Sequence, residues 1–375
     1  MKELSIYIHI PFCIRKCLYC DFLSFPAEIG NYVNLLCREI SSSAPEYQQY
    51  QVVSVFLGGG TPSVLPAMDI SLIMETIRDN YRISQDIEVT MEMNPGTVDE
   101  DKLRQYITAG MNRISIGLQS ADDEELLRIG RIHDYQTFLR TYELARRVGF
   151  HNINIDIMSA LPGQSVVSYE RTLRAVTSLE PEHISAYSLI LEEGTPLYER
   201  QYEYSFPTEE EDREMYSLTK DFLSSCGYHR YEISNYAREG YECCHNKVYW
   251  QRGDYVGFGL GASSMVRNVR WKNPEDLTLY EAYVYRQEDM CVPDRQILTE
   301  KEQMEEYMFL GLRMMCGVNR QGFARTFGRQ IEEAYGEIPD RLCRQGLLAQ
   351  DKNNMMLTEL GIDVSNYVFA QFLFD

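Results

Sequence analysis

Cys13, Cys17 and Cys20 are spaced C-x3-C-x2-C in the string Tyr7-Ile8-His9-Ile10-Pro11-Phe12-Cys13-Ile14-Arg15-Lys16-Cys17-Leu18-Tyr19-Cys20-Asp21-Phe22. Thiolates are soft ligands that suit iron–sulfur clusters or zinc, and spacings this short let one loop wrap a single centre. A four-iron cubane held by three thiolates keeps one iron without a protein ligand. That iron is open to a small molecule, an arrangement for chemistry rather than for simple electron storage. The competing reading is a structural zinc completed by a histidine such as His9. The remaining cysteines, Cys37, Cys226, Cys243, Cys244, Cys291, Cys316 and Cys343, are scattered and read mostly as small buried hydrophobes. The run Cys243-Cys244-His245 is a weaker metal-binding candidate.

Five further features carry chemistry. Gly58-Gly59-Gly60-Thr61-Pro62 lets the backbone approach a ligand closely, and successive backbone groups in such a turn can cradle charge; tight turns alone also explain a glycine triplet. Glu92 sits in the apolar run Thr90-Met91-Glu92-Met93-Asn94-Pro95, and a carboxylate there needs a partner. It either pairs with Arg113 or Arg131, or accepts a hydrogen bond from a ribose or amino group of a cofactor. Gln119, Arg131 and Asp156 carry the same two readings.

The elements that must position these residues are legible as alternating strand and helix patterns. Strands are expected at Leu4–Ile10, Val52–Leu57, Ile87–Met93, Arg113–Leu118, Asn152–Ile157 and His183–Ile190, with helices such as Gly30–Ser42, Asp69–Asn80, Tyr135–Val148 and Tyr169–Ser178 between them. This alternation indicates parallel βα units. Six units are fewer than the eight of a complete barrel, so the expected fold is α/β, a partial (β/α)6 barrel with an open side. The three cysteines, Gly58–Gly60, Glu92, Gln119 and Asp156 then lie at or just after the C-terminal ends of five strands, where parallel barrels build their sites. Residues 1–200 are read as the barrel and 201–295 as a connecting α+β region, with a helix at Glu209–Cys226. Residues 296–375 are read as a smaller α+β domain with a winged-helix-like outline, beginning with an amphipathic helix at Thr299–Met315. A docking or lid role suits that domain better than DNA binding.

Composition narrows the classes. The chain has 375 residues and a formal net charge of −20, which argues against a nucleic-acid partner and requires a local basic pocket for any anionic ligand. Ten cysteines without regular pairing fit a reducing compartment. With no signal-like or membrane-spanning run, the expected location is the cytoplasm.

Taken together, Y-I-H-I-P-F-C, G-G-G-T-P, E-x-N-P, R-I-S-I-G-L-Q-S and I-D-I-x-x-x-L-P-G-Q resemble the radical S-adenosylmethionine (SAM) superfamily, and within it the oxygen-independent coproporphyrinogen III oxidases and their relatives. The resemblance implies a [4Fe–4S] cluster on Cys13, Cys17 and Cys20, with SAM on the open iron. It also implies SAM contacts from Tyr7, Gly59, Gly60, Thr61, Glu92, Gln119, Arg131 and Asp156. In the oxidases some equivalents of these positions serve a second SAM, and whether one binds here stays open. Two departures separate the chain from the oxidases. Phe22 stands where they carry a fourth cysteine, and the first strand begins at about Leu4, without their N-terminal extension. Cys20-Asp21-Phe22 and the H-N-x-x-Y-W string His245-Asn246-Lys247-Val248-Tyr249-Trp250 are instead similar to the HemW-type haem chaperones. That resemblance implies haem as cargo and a haemoprotein acceptor. It leaves room for a homodimer and a transient contact with a membrane protein. It assigns no catalytic residue, and the oxidase-type enzyme remains the alternative. His245 has two readings: an axial haem ligand, or a structural residue that with Asn246 hydrogen-bonds a turn while Tyr249 and Trp250 pack the interface between domains.

Overall fold

The computed structural model describes residues 1–26, 30–285 and 294–374; Cys291 lies outside the described residues. The first half of the chain alternates β1 (Lys2–Ile10), α1 (Tyr32–Ser43), β2 (Tyr50–Gly59), α2 (Ala67–Asn80), β3 (Ile83–Met93), α3 (Glu100–Thr108), β4 (Arg113–Gln119), α4 (Asp123–Arg128), α5 (Tyr135–Val148), β5 (Ile153–Ser159), α6 (Val166–Thr177) and β6 (His183–Ser188). Strands β1 to β6 are parallel and adjacent in sequence order. Side-chain alternation explains why they form one layer. In β1, Leu4, Ile6, Ile8 and Ile10 are fully buried in the apolar core, while Ser5, Tyr7 and His9 point to the opposite face. That opposite face continues through Ser54, Phe56, Glu92, Ser115, Asn154, Asp156 and Ser185. Complete barrels usually fill their interior with branched apolar side chains; this lumen is polar. The intervening helices start cleanly because Asp99, Asp122, Asp134 and Ser165 each accept a hydrogen bond from a first-turn amide.

The sheet is larger than six strands. After α7 (Pro196–Glu199) and α8 (Glu209–Ser225) come β7 (His229–Arg230), β8 (Asn235–Ala237), α9 (Cys244–Trp250), β9 (Tyr255–Phe258), β10 (Ser263–Val266), β11 (Val269–Lys272), α10 (Leu277–Tyr285) and β12 (Gln296–Ile297). β9 pairs in parallel with β1, and β8 pairs antiparallel with β6, so this stretch extends both edges of one open sheet ordered β12-β11-β10-β9-β1-β2-β3-β4-β5-β6-β8-β7. Short, glycine-broken strands hid this from the sequence. The C-terminal part holds α11 (Glu300–Gly311), β13 (Val318–Asn319), α12 (Arg320–Phe327), α13 (Ile331–Tyr335), α14 (Ile338–Arg344), β14 (Leu348–Gln350) and β15 (Asn354–Leu357). Helices α11 to α14 and a three-stranded antiparallel sheet surround a separate apolar cluster, which gives the winged-helix-like outline. The helix expected to reach Met315 stops at Gly311. Its buried face also includes Glu306, because α11 is held between this domain and the barrel.

Candidate functional site

The cysteine loop leaves β1 and is held down along its length. Cys13 N–H donates to Phe25 O (3.3 Å), Leu18 N–H to Ile129 O (3.0 Å) and Lys16 Nζ to Phe22 O (2.8 Å). All three thiols are half-buried. Their surroundings form one connected chain: Cys13 Sγ lies 3.4 Å from Thr61 Oγ1, which accepts from Asn94 Nδ2 (2.8 Å). Asn94 Oδ1 in turn accepts from Arg131 Nη2 (2.7 Å), and Arg131 Nη1 lies 3.6 Å from Cys17 Sγ. The guanidinium also donates to Gly117 O, yet its buried Nε has no hydrogen-bond partner among the described residues. A cation directed at the loop favours thiolates.

The glycine triplet has a steric reason. A Cβ on Gly60 would stand 2.7 Å from Phe12 O, and one on Gly59 (φ +106°) would collide with the His9 ring. Close approach seats the end of β2 against the cysteine loop, where Gly60 N–H bonds Ile10 O and Thr61 N–H bonds Phe12 O, both at 2.8 Å. His9 cannot also serve as a fourth metal ligand in this arrangement. Its Nε2 contacts Leu23 O (2.9 Å) and its Nδ1 contacts Tyr7 OH (3.0 Å). Among the described residues no three His, Cys, Asp or Glu side chains are gathered closely enough for a single ion. Three thiols offered by one short loop are the kind of donor set that an iron–sulfur cluster takes.

Beside the loop lies a cavity of about 340 Å³, bordered by Cys13, Cys17, Cys20, Gly59, Gly60, Thr61, Glu92, Gln119, Arg131 and Asp156. A second cavity of about 230 Å³ adjoins it, with Tyr7, Phe56, Arg113, His245 and Tyr249 in its wall. Phe22, Gly59, Glu92, Ser115, Asp156 and Tyr187 border both. The fold thus brings every site residue read from the sequence to two connected spaces. Neither arginine clamps Glu92. Its Oε2 accepts from Gly59 N–H (3.1 Å), and burial together with Asp156 pushes its carboxyl up to about 8. Asp156 is likewise raised by burial, against hydrogen bonds from Ser115 and Asn154. Two buried carboxyls whose burial outweighs the nearby Arg113 charge suit a ligand that brings positive charge.

Sequence reasoning missed Asn94, Ser115, Asn154 and Tyr187. The period-two alternation of β4 and β5 could have found Ser115 and Asn154, since each shares a face with a residue already singled out.

The H-N-x-x-Y-W string forms α9, which closes the end of the lumen opposite the cysteine loop. Glu88 on β3 holds its start, accepting from Cys244 N–H (2.9 Å) and His245 N–H (3.0 Å). His245 is 1% exposed. Its Nδ1 contacts Ser54 Oγ (2.9 Å), its Nε2 contacts Tyr249 OH (3.0 Å), and its ring stacks on Phe56. Burial, aided by Arg113, lowers its pKa to about 3. Trp250 lies under Arg313 (4.4 Å) and packs with Tyr231, Ala237 and Met314, joining α9 to the segment that leads into the C-terminal domain. This geometry supports the buried, packing role of the two weighed for His245. Iron ligation would require Nε2 to release Tyr249.

Comparison with known proteins agrees with this architecture. The Radical SAM superfamily model matches residues 7–176, and the HemN C-terminal domain model matches residues 298–364. The solved structure titled "Coproporphyrinogen III oxidase (HemN) from Escherichia coli is a Radical SAM enzyme" superposes with a TM-score of 0.86 at 24% identity, covering 99% of this chain and 90% of that one. Fold and site define a radical SAM protein with an open α/β barrel. The Heme chaperone HemW of Bacillus subtilis is 35% identical over 98% of this chain and 99% of its own length. That of Escherichia coli is 34% identical over 100% and 99%. A zebrafish relative, "Radical S-adenosyl methionine domain-containing protein 1, mitochondrial", is 34% identical over 85% and 74%. The chain belongs to the HemW family of haem chaperones. Among the described residues no helix is long and apolar enough to cross a membrane.

Proposed function

We propose that this protein binds haem and delivers it to a target haemoprotein, and that it carries a [4Fe–4S] cluster and SAM while doing so. The observation that carries the cofactor part is the convergence of the three thiols, the Arg131 guanidinium and the Glu92–Asp156 pair on one cavity. Cys13, Cys17 and Cys20 hold three irons, leaving the fourth for the amino and carboxylate groups of SAM. Glu92 and Asp156 face the ligand's positive charge and ribose, while Gly59, Gly60 and Thr61 bring backbone close, and Tyr7, Gln119 and Arg131 complete the wall. When bound, such a cluster can reduce SAM's sulfonium. The chain's own residues position the ligand and keep bulk water from it. Phe22, 64% exposed at the mouth, presents an apolar face where the oxidases carry a thiol, which favours cargo handling over the oxidase reaction.

The cofactor test is elemental. Protein purified without oxygen should hold about four irons and four sulfides per chain. Serine at Cys13, Cys17 or Cys20 should bleach it, whereas serine at Cys37 or Cys343 should leave the colour intact. Stoichiometric zinc with no iron would contradict the proposal.

A further inference from the structure

Asp156 is held by a chain of hydrogen bonds that runs away from the cavity. Its Oδ1 accepts from Asn154 Nδ2 (2.7 Å) and its Oδ2 from the Ser115 hydroxyl (2.9 Å). Asn154 Nδ2 also reaches Ser115 Oγ (2.7 Å), so the amide must face the carboxylate with its nitrogen. The other end of that amide decides the matter: Asn154 Oδ1 meets His183 Nδ1 at 2.6 Å and accepts from Ser185 Oγ at 3.1 Å. His183 Nε2 meets Tyr231 OH at 2.9 Å, and Tyr231 OH accepts from Cys243 N–H at 3.3 Å. His183 is 0% exposed, Asn154 2% and Tyr231 4%, so no bulk water substitutes for a lost partner.

The donors can be ordered in one way. Cys243 N–H supplies the tyrosine oxygen, which leaves the phenol proton for His183 Nε2. The ring then carries its own proton on Nδ1 and gives it to Asn154 Oδ1. Burial and Arg113 keep the imidazole neutral, consistent with one proton per ring. With its oxygen so engaged, the Asn154 amide cannot flip, and a flip would set a carbonyl against the Asp156 carboxylate.

We infer that His183 is a positioning residue for SAM: locked by Tyr231, it fixes the Asn154 amide and thereby aims the Asp156 carboxylate into the cavity. This rests on the reading that Asp156 faces SAM. The relay begins at the residue preceding α9 and passes through Tyr231, whose carbonyl accepts from Met315 N–H (3.0 Å) beyond α11.

The test is SAM titration of the reconstituted, cluster-loaded protein, with cluster absorbance and circular dichroism recorded for each variant. His183→Leu should weaken SAM binding by about tenfold, the size expected for disturbing a hydrogen bond to a charged group. His183→Asn, whose amide can donate from the place of Nδ1–H, should recover affinity to within about threefold of wild type, which a merely structural role does not predict. Tyr231→Phe removes one oxygen, preserves volume, and should also weaken SAM. Wild-type affinity in Tyr231→Phe, or in a folded, cluster-bearing His183→Leu, overturns the positioning role. Wild-type affinity in Asp156→Ala instead overturns the underlying reading of the pocket.

Discussion

At the scale of the residue, the site is defined by buried carboxyls that accept hydrogen bonds but form no ion pair among the described residues. Glu92 is the informative one, because its carboxyl is raised to about 8 by burial and by Asp156. In the free protein near pH 7 it holds a proton, and a cationic ligand must displace that proton to gain an ion pair. SAM affinity is therefore expected to rise with pH between about 6 and 8 and to level off above it, as the carboxyl ionises unaided. Glu92→Gln should bind SAM more weakly and lose that slope. A flat profile in the unmodified protein, measured by titration across this range, would remove Glu92 from contact with the ligand's charge. The three cysteines, the glycine triplet and Glu92 were readable from the sequence because each breaks the pattern around it. Asn94 was not, since it looks like an ordinary turn residue before Pro95. Only the fold shows it linking Thr61 to Arg131.

Elements decide where those residues stand. The six parallel strands were legible from apolar runs, and their ends moved by only a few residues. Pairing with β5, for example, stops at Ser188 rather than running to Ile190. Strands of two to four residues such as β7, β8 and β9 carry too few side chains to show a period, so their place on the edges of the same sheet was hidden. Helix α9 shows how an element can be visible as a motif and opaque as a structure. His245 was singled out for its imidazole, yet both ring nitrogens are engaged beneath the lumen. His245→Ala should leave the Ser54 and Tyr249 hydroxyls without this partner and open a hole beside Phe56. A loss of about 2–3 kcal/mol in stability is expected, measured by denaturant unfolding. The haem absorption spectrum should stay unchanged when the variant is loaded. A shifted spectrum with unchanged stability would instead make His245 the axial ligand.

The whole molecule joins two apolar cores across a narrow polar seam. Glu306 on α11 is the centre of that seam, bridging Arg252 (3.0 Å) and Arg270 (2.8 Å), with Glu306 and Arg252 both nearly excluded from solvent. Removing one member of such a group leaves charge buried and unpaired. Glu306→Ala should therefore cost about 3 kcal/mol and split thermal unfolding into two steps. One cooperative step at the wild-type temperature would show the seam to be dispensable. The charge of −20 is balanced locally at the cavity mouth by Arg15 and Lys16, a cationic edge that suits anionic propionates. Family membership and the exposed Phe22 favour cargo binding over porphyrinogen decarboxylation. The direct measurement is a haem titration of the anaerobic, cluster-loaded protein, followed in the Soret region, with coproporphyrinogen III, SAM and reductant supplied to the same preparation. Saturation near one haem per chain, with no protoporphyrinogen IX formed, is the predicted result. Repeated turnover of coproporphyrinogen III that depends on SAM and on Cys17, without saturable haem binding, would contradict it.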